Sequence, residues 1–406
     1  MSFVKSLHCR ECGAVYEAGP TYYCELCFGP LEVDYEYGRV REQISRQSIA
    51  EGPPTLWRYA DLLPVERSAA VDLGAGLSPL LRSRSLAEEL GLTDLWIKND
   101  TVNPTNSFKD RPVTVSLSKA LEFGLKTVAC ASTGNLANAV AAHAARAGLA
   151  AYLFVPSDIE PAKVVASAAL GTVVAVNGNY DQVNRLCGEL QGSYPWGFVN
   201  VNLRPYYAEG SKTLAFETAE QLGWELPDHV VVPIASGALL TKIEKGFREL
   251  AEVGLIDPGQ AVRISGAQAA GCSPVAAAFA SGSSEVSPQK PDTIAKSLAI
   301  GDPADGFYAL QAVRRTGGSV VAATDEEIVN AILLLARTEG ILTEPAGGVT
   351  VASLIKLVEQ GAIGANERVV IYITGHGLKT PEVVAGKVGP SATIPPTVEG
   401  FRTAFE

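Results

Sequence analysis

From about residue 95 onward the chain alternates short β-branched apolar runs with longer Ala-rich stretches whose apolar positions recur at helical spacing. The runs at 95–98, 127–131, 151–155, 173–176, 229–233, 262–267 and 368–373 predict strands buried on both faces, since polar residues do not alternate through them. The stretches at 136–147, 161–170, 182–190, 213–222, 240–253 and 326–337 predict helices. Such alternation implies parallel sheets covered by helices on both sides. The stretch is too long for one sheet, so the expected fold is α/β with two parallel-sheet domains facing a cleft. Residues 37–112 with 213–406 form the larger domain and 113–212 the smaller, and residues 37–51 read as a polar connector.

The first 36 residues break this pattern. Cys9-x-x-Cys12 and Cys24-x-x-Cys27 lie among the turn markers Gly13, Gly19-Pro20 and Gly29-Pro30. Two such knuckles gather four thiolates around tetrahedral zinc, with rubredoxin-like iron or a redox dithiol as the alternatives. So short a module has too little core to fold alone, and metal binding supplies its stability. Between Leu7 and Val33, Glu11, Glu17, Glu25 and Glu32 outnumber the lone Arg10, which favours a structural or subunit-packing role over nucleic-acid contact. Cys130, Cys187 and Cys272 sit in apolar segments and read as ordinary buried thiols.

Composition narrows the function. With 47% hydrophobic and 19% charged residues the chain reads as a soluble globular protein. A net charge of -11 argues against nucleic acid, whose binding rests on neutralising phosphates. No apolar run approaches the ~20 residues of a membrane span, and Met1-Ser2-Phe3-Val4-Lys5 lacks a signal-peptide core; a cytoplasmic protein is expected.

Lys109 carries the chemistry. It lies in Asn103-Pro104-Thr105-Asn106-Ser107-Phe108-Lys109-Asp110-Arg111, between a predicted strand and the helix it opens. Open α/β sheets bind ligands at such junctions. The bland reading is a solvated charge on a first helical turn; the sharper one is an amine that forms a Schiff base with an aldehyde cofactor. Four other junctions offer what such a cofactor needs. Ser132-Thr133-Gly134-Asn135 suits a carboxylate or phosphate, beyond the simple N-cap that one hydroxyl would supply. The Ser236-Gly237-Ala238-Leu239-Leu240 loop lacks Walker A spacing but lets backbone N–H groups converge on a phosphate monoester. Thr374-Gly375-His376-Gly377 presents a hydroxyl to a ring nitrogen; His376 is an acid-base candidate or a turn former. Asn179 and Arg185, with Asn202, offer donors for a second phosphate belonging to a substrate.

NPTNSFKDR, STGNLANA, VNGNYD, EGSKT, GAQAAGCSP, TIAKS, TEPAGG and TGHGLK, in this order, resemble the threonine synthases. These are pyridoxal-phosphate enzymes of the tryptophan-synthase β fold (fold type II), some with an N-terminal zinc ribbon. The likeness runs from about Leu56 to Thr397. It implies that Lys109 is the Schiff-base lysine, that Ser236, Gly237, Ala238, Leu239 and Leu240 cradle the cofactor phosphate, and that Asn135 and Thr374 contact the phenolic oxygen and ring nitrogen. Ser132, Thr133 and Asn135 would hold the substrate carboxylate; Ser107, Asn179, Arg185 and Asn202 would surround the phosphate of O-phosphohomoserine. A homodimer is implied too.

The resemblance is incomplete at Asn106 and Pro112, where many relatives carry Gly or another small residue, and at Ala238-Leu239, where they are richer in glycine. Relatives on related scaffolds dehydrate serine or threonine, or exchange the phosphate of O-phosphoserine for sulfite, so those reactions are the alternatives within the enzymes. From another class, the chain reads as a zinc-ribbon interaction or nucleic-acid-binding protein on a catalytically silent scaffold; net acidity and Lys109 weigh against this.

Overall fold

A computed structural model describes residues 2–406 as three sheets. Strands β1 (Val4–Cys9), β2 (Val15–Tyr16) and β3 (Leu31–Tyr35) form an antiparallel ribbon in the order β2-β1-β3. Next come β4 (Leu80–Arg82), β5 (Asp94–Asn99), β6 (Thr127–Ala131), β7 (Ala150–Pro156), β8 (Thr172–Val176) and β9 (Gly197–Phe198). The last are β10 (His229–Pro233), β11 (Arg263–Ala269), β12 (Val320–Ala323) and β13 (Arg368–Ile373). One six-stranded sheet runs β12-β11-β10-β13-β5-β4 and a four-stranded one runs β8-β7-β6-β9. Every pair in these two sheets is parallel except β4 with β5.

The absence of polar alternation now has its cause. In β10, Val231 faces one core while Val230 and Val232 face another; in β13, Val369, Ile371 and Ile373 oppose Val370 and Tyr372. The smaller sheet divides likewise, Val128 and Cys130 on one side and Ala129 and Ala131 on the other. Each fully buried Val or Ile contributes roughly 1.5–3 kcal/mol, so a one-residue register slip gains nothing for either face. Helix Asn135–Ala147 forms because eight of its thirteen residues are Ala or Leu, and it stops at Gly148, whose φ of 67° ends it in the left-handed region.

Two expectations are corrected. Residues 37–51 are not a connector but two short helices, Tyr37–Gln43 and Arg46–Ala50, which bury Val40 and Ile49 and, between them, Ile44, against Leu250, Val253 and Ile256. Strand β8 is not buried on both faces, because it is the edge of its sheet. The short strands β4, β9 and β12 lie outside the predicted set; two to four residues give no period to read. No helix is long and apolar enough to cross a membrane among the described residues.

Candidate active site

The Lys109 loop is strapped to the loop after β13. Phe108 N–H donates to the Thr374 carbonyl (2.9 Å), His376 N–H to the Asn106 carbonyl (3.0 Å), and Ser107 pairs with Gly375. Asn106 takes a φ of 58°, which Asn tolerates better than most residues and which explains why glycine also suits this position. Below the loop, Arg111 has no exposed surface and bonds both Asp100 (Nε 2.6 Å, Nη2 2.8 Å) and Glu217 (Nη2 2.7 Å). Lys98 completes a charge-balanced cluster through Glu217 at 2.7 Å. Asp110 accepts from Thr105 and meets His143 at 3.0 Å. The backbone on either side of Lys109 is thereby fixed.

Lys109 itself caps helix Asp110–Glu122 and is half-buried. Its amine donates to the Tyr207 hydroxyl (3.1 Å) and lies 4.5 Å from the centre of the Phe108 ring. Among the described residues no carboxylate lies within ion-pair distance of it. Burial lowers its pKa to about 8 with no acid to offset the shift. Such an amine is neutral often enough near neutral pH to attack a carbonyl.

Three turns carry the other groups. Ser132 is buried, and its hydroxyl accepts from the N–H groups of Gly134 and Ala137 (2.9 Å each); it shapes the turn, while Thr133 stays half-buried with no side-chain hydrogen bond among the described residues. Gly134 has a φ of 117°, and a Cβ there would come within 2.2 Å of Lys163 Cδ. Asn135 donates to Glu344 Oε2 at 2.6 Å and leaves its own Oδ1 buried without a partner among the described residues. Glu344 also meets Lys163 at 3.1 Å, both almost fully buried. Helix Ala238–Glu252 begins at Gly237 (φ 95°) with no side-chain cap, so its first turn is open to an anion. Thr374 is buried and its hydroxyl makes no bond within the described residues. His376 accepts from Leu378 N–H at 3.1 Å, which is the turn-forming role.

An amine of lowered pKa, an uncapped helix start, an orphaned amide oxygen and a free hydroxyl fit an aldehyde cofactor bearing a phosphate. The second-phosphate residues are not gathered in this way. Asn179 is exposed and spent in a capping box with Gln182; Arg185 is 76% exposed and faces Glu189. Asn202 is buried between Phe198 N–H (2.7 Å) and the Trp196 carbonyl (3.0 Å), and Ser107 accepts from Lys109 N–H (3.3 Å). The three are thus engaged in separate local contacts, and Asn202 alone of them is buried.

Sequence reasoning missed Tyr207, Glu344, Lys163 and Arg204. Glu344 stood inside a quoted motif, TEPAGG, and could have been found there; the others had no local signal. Arg204 bonds Asp305 at 2.6 Å, and its charge reaches the hydroxyls of Tyr207 and Tyr180, the latter pushed up to about 12 chiefly by burial. Two open cavities lie elsewhere, one of about 280 Å³ between the ribbon and helix Ala238–Glu252 and one of about 430 Å³ beside Asp94, Glu225 and Arg368, and neither contains any of the Lys109 loop. Convergent donors, and not cavity size, mark the candidate active site.

At the ribbon, the sulfurs of Cys9, Cys12, Cys24 and Cys27 all lie within 4.8 Å of one another, with Cys9–Cys27 at 3.4 Å and Cys12–Cys24 at 3.6 Å. Tetrahedral zinc with bonds of about 2.3 Å sets sulfurs roughly 3.8 Å apart, so the cage fits. Glu11 and Leu26 N–H groups donate to Cys9 and Cys24 sulfurs (3.4 Å each), as metal thiolates require. The remaining thiols are buried, and burial pushes Cys187 and Cys272 up to about 12 and about 11.

Comparison with known proteins accords with this geometry. Residues 71–375 match the family described as pyridoxal-phosphate dependent enzymes. The chain is 39% identical over 403 residues to a threonine synthase of Methanosarcina acetivorans, covering 98% of each. It is 39% identical over 378 residues to that of Methanocaldococcus jannaschii, covering 92% of this chain and 93% of the relative. Among solved structures, diaminopropionate ammonia lyase from Escherichia coli superposes with a TM-score of 0.67 at 19% identity, over 77% of this chain and 88% of that one. Maize serine racemase does so at 0.64 and 22% identity, over 76% and 91%. At these identities the structures speak for the fold alone.

Proposed function

The chain belongs to the pyridoxal-phosphate dependent enzymes and, within them, to the threonine synthases, and from that premise we propose how its residues divide the work. The reaction converts O-phosphohomoserine and water to threonine and phosphate. Lys109 would anchor the cofactor aldehyde, the first turn after Ser236-Gly237 its phosphate, Thr374 its ring nitrogen and Asn135 its phenolic oxygen. When bound, the cofactor supplies the electron sink that stabilises a carbanion next to the substrate carboxyl.

The Lys109 amine would also serve as the base that takes the proton from the α-carbon and then one from the β-carbon. Phosphate leaves the γ-carbon, one proton goes to that carbon, water adds its hydroxyl at the β-carbon while its proton passes to phosphate, and the second proton returns to the α-carbon to give threonine. Tyr207 accepts a hydrogen bond from the amine and so keeps it aimed between these neighbouring carbons. Thr133 and the N–H groups of the 132–135 turn bind the substrate carboxylate, with Ser132 holding the turn's shape. For the leaving phosphate, Arg204 beside Tyr207 and Tyr180 is added to Ser107, Asn179, Arg185 and Asn202; these last three need side-chain rearrangement to contribute. We also propose a domain boundary near 112 and 213, a cytoplasmic location and a homodimer, the last from resemblance alone.

The observation that carries this reading is the Lys109 amine, lowered by burial, bonded to a hydroxyl and free of acids. The test supplies O-phosphohomoserine, O-phosphoserine with sulfite, and threonine in separate reactions. Phosphate and threonine are expected from the first alone; cysteate or 2-oxobutyrate as the main product would replace the assignment.

A further inference from the structure

The ribbon's first knuckle reaches the loop assigned to the cofactor phosphate. Arg10 and Glu11 are the two residues between Cys9 and Cys12. Arg10 bonds Asp305 Oδ1 at 3.3 Å and stacks on the Tyr308 ring with its guanidinium 3.6 Å from the centroid. Glu11 accepts from the Tyr308 hydroxyl. Both knuckle residues therefore grip the start of helix Gly306–Thr316, which Asp305 caps.

Asp305 is buried and lies directly against the phosphate loop. Its N–H donates to the Ser236 carbonyl at 2.8 Å, and a Cβ on Gly237 would come within 2.6 Å of its carbonyl oxygen. Its carboxylate is held by Arg10 on one oxygen and Arg204 on the other. A buried carboxylate that loses one of two guanidinium partners must shift or draw in water. Any shift of Asp305 moves the main chain of Ser236 and Gly237, because the two backbones touch.

We propose that the metal knuckle is a strut of the phosphate loop: metal at Cys9 and Cys12 fixes Arg10, Arg10 fixes Asp305, and Asp305 fixes the Ser236-Gly237 turn. Arg10 and Asp305 are positioning residues for cofactor retention, acting through the loop and not by touching the cofactor. The inference rests on the reading that this loop holds the cofactor phosphate. Metal loss should free the knuckle without detaching the ribbon, since Tyr35 in β3 remains bonded to Glu209 at 2.8 Å and Lys245 to the Val33 carbonyl at 2.8 Å.

The experiment titrates pyridoxal phosphate and phosphate-free pyridoxal into the full-length protein, with the four variants Arg10→Gln, Arg10→Lys, Asp305→Asn and Ser236→Ala and a chelated sample. Losing one charge-assisted hydrogen bond is expected to weaken pyridoxal phosphate by about tenfold in Arg10→Gln, Asp305→Asn and the chelated protein. Pyridoxal binding should stay unchanged, and Arg10→Lys should recover part of the loss. Equal weakening of both ligands overturns the strut, because it reports general loosening. So does parent-like retention in Arg10→Gln, Asp305→Asn and the chelated protein while Ser236→Ala loosens the cofactor. If Ser236→Ala also binds as the parent does, the phosphate-loop assignment falls and takes the strut with it.

Discussion

Glu209→Gln removes one negative charge from a sealed cluster of three lysines and three glutamates. Glu209 receives the amines of Lys212 (2.6 Å), Lys242 (2.7 Å) and Lys245 (3.0 Å) and the Tyr35 hydroxyl (2.8 Å). Lys212 also meets Glu249 at 2.8 Å, and Lys242 meets Glu32 of the ribbon. Glu209 and Lys212 are fully buried, so a lost charge cannot be made up by solvent. Glutamine keeps the shape but turns an NH₂ group toward an ammonium and leaves the cluster one charge out of balance. Breaking such a buried pair costs about 3–5 kcal/mol. With a urea slope of roughly 3 kcal/mol per molar, the unfolding midpoint should fall by about 1–2 M. Glu189→Gln, which breaks the exposed pair with Arg185, should change stability by at most about 1 kcal/mol and serves as the control.

The pH dependence has a definite sign. Burial alone would raise the Glu209 pKa, but Lys212, Lys242 and Lys245 hold it well below the usual carboxylate range. Its stabilisation is therefore complete above the unfolded value of about 4.3 and is lost as pH falls toward the folded one. The gap between parent and Glu209→Gln should narrow on acidification. An equal urea midpoint at neutral pH, or a gap that widens in acid, would refute the reasoning.

Other outcomes follow from the same structure. Lys109→Ala should abolish both turnover and the visible absorption band of the cofactor; a persisting band would assign the anchor to another amine. With a pKa of about 8, roughly one Lys109 amine in ten is neutral at pH 7, against about one in 2,500 for an ordinary lysine, so the rate of band formation in cofactor-free protein should level off just above pH 8; a midpoint above pH 10 would count against burial as the cause. Arg111→Met leaves Asp100 and Glu217 sharing Lys98 alone and should destabilise by about 3–5 kcal/mol, measured by urea. Cys12→Ser should release the ribbon metal, about one ion per chain by elemental analysis, and lower stability more than turnover of the folded fraction at saturating cofactor; full stability without metal would contradict a structural ribbon.

Much of this was written locally. The apolar runs located seven strands, six of them because residues buried on both faces leave no polar alternate and β8, at its sheet's edge, by its β-branched run alone, and the two Cys-x-x-Cys pairs marked a cage that short spacing can close. Lys109, the 236–240 loop and Thr374 were singled out as candidates because strand-to-helix junctions have a chain-local signature. The short helices at 37–51 were missed because their few apolar residues are too sparse to mark a period, and they form by packing on Leu250 and Ile256.

What tertiary structure alone decided is which polar side chains are free. Asn179, Arg185 and Asn202 have suitable chemistry for a phosphate, yet one is a helix cap, one faces solvent and one is bonded to main chain. Tyr207, 98 residues from Lys109, became its partner, and Glu344, 209 residues from Asn135, took that residue's amide. The sequence by itself determined the longer elements and the four-cysteine cage and singled out Lys109 as the candidate amine, since each is marked by a pattern local to its stretch of chain. Only the fold could set the amine's lowered pKa, because that follows from burial and from the distances to every charge around it.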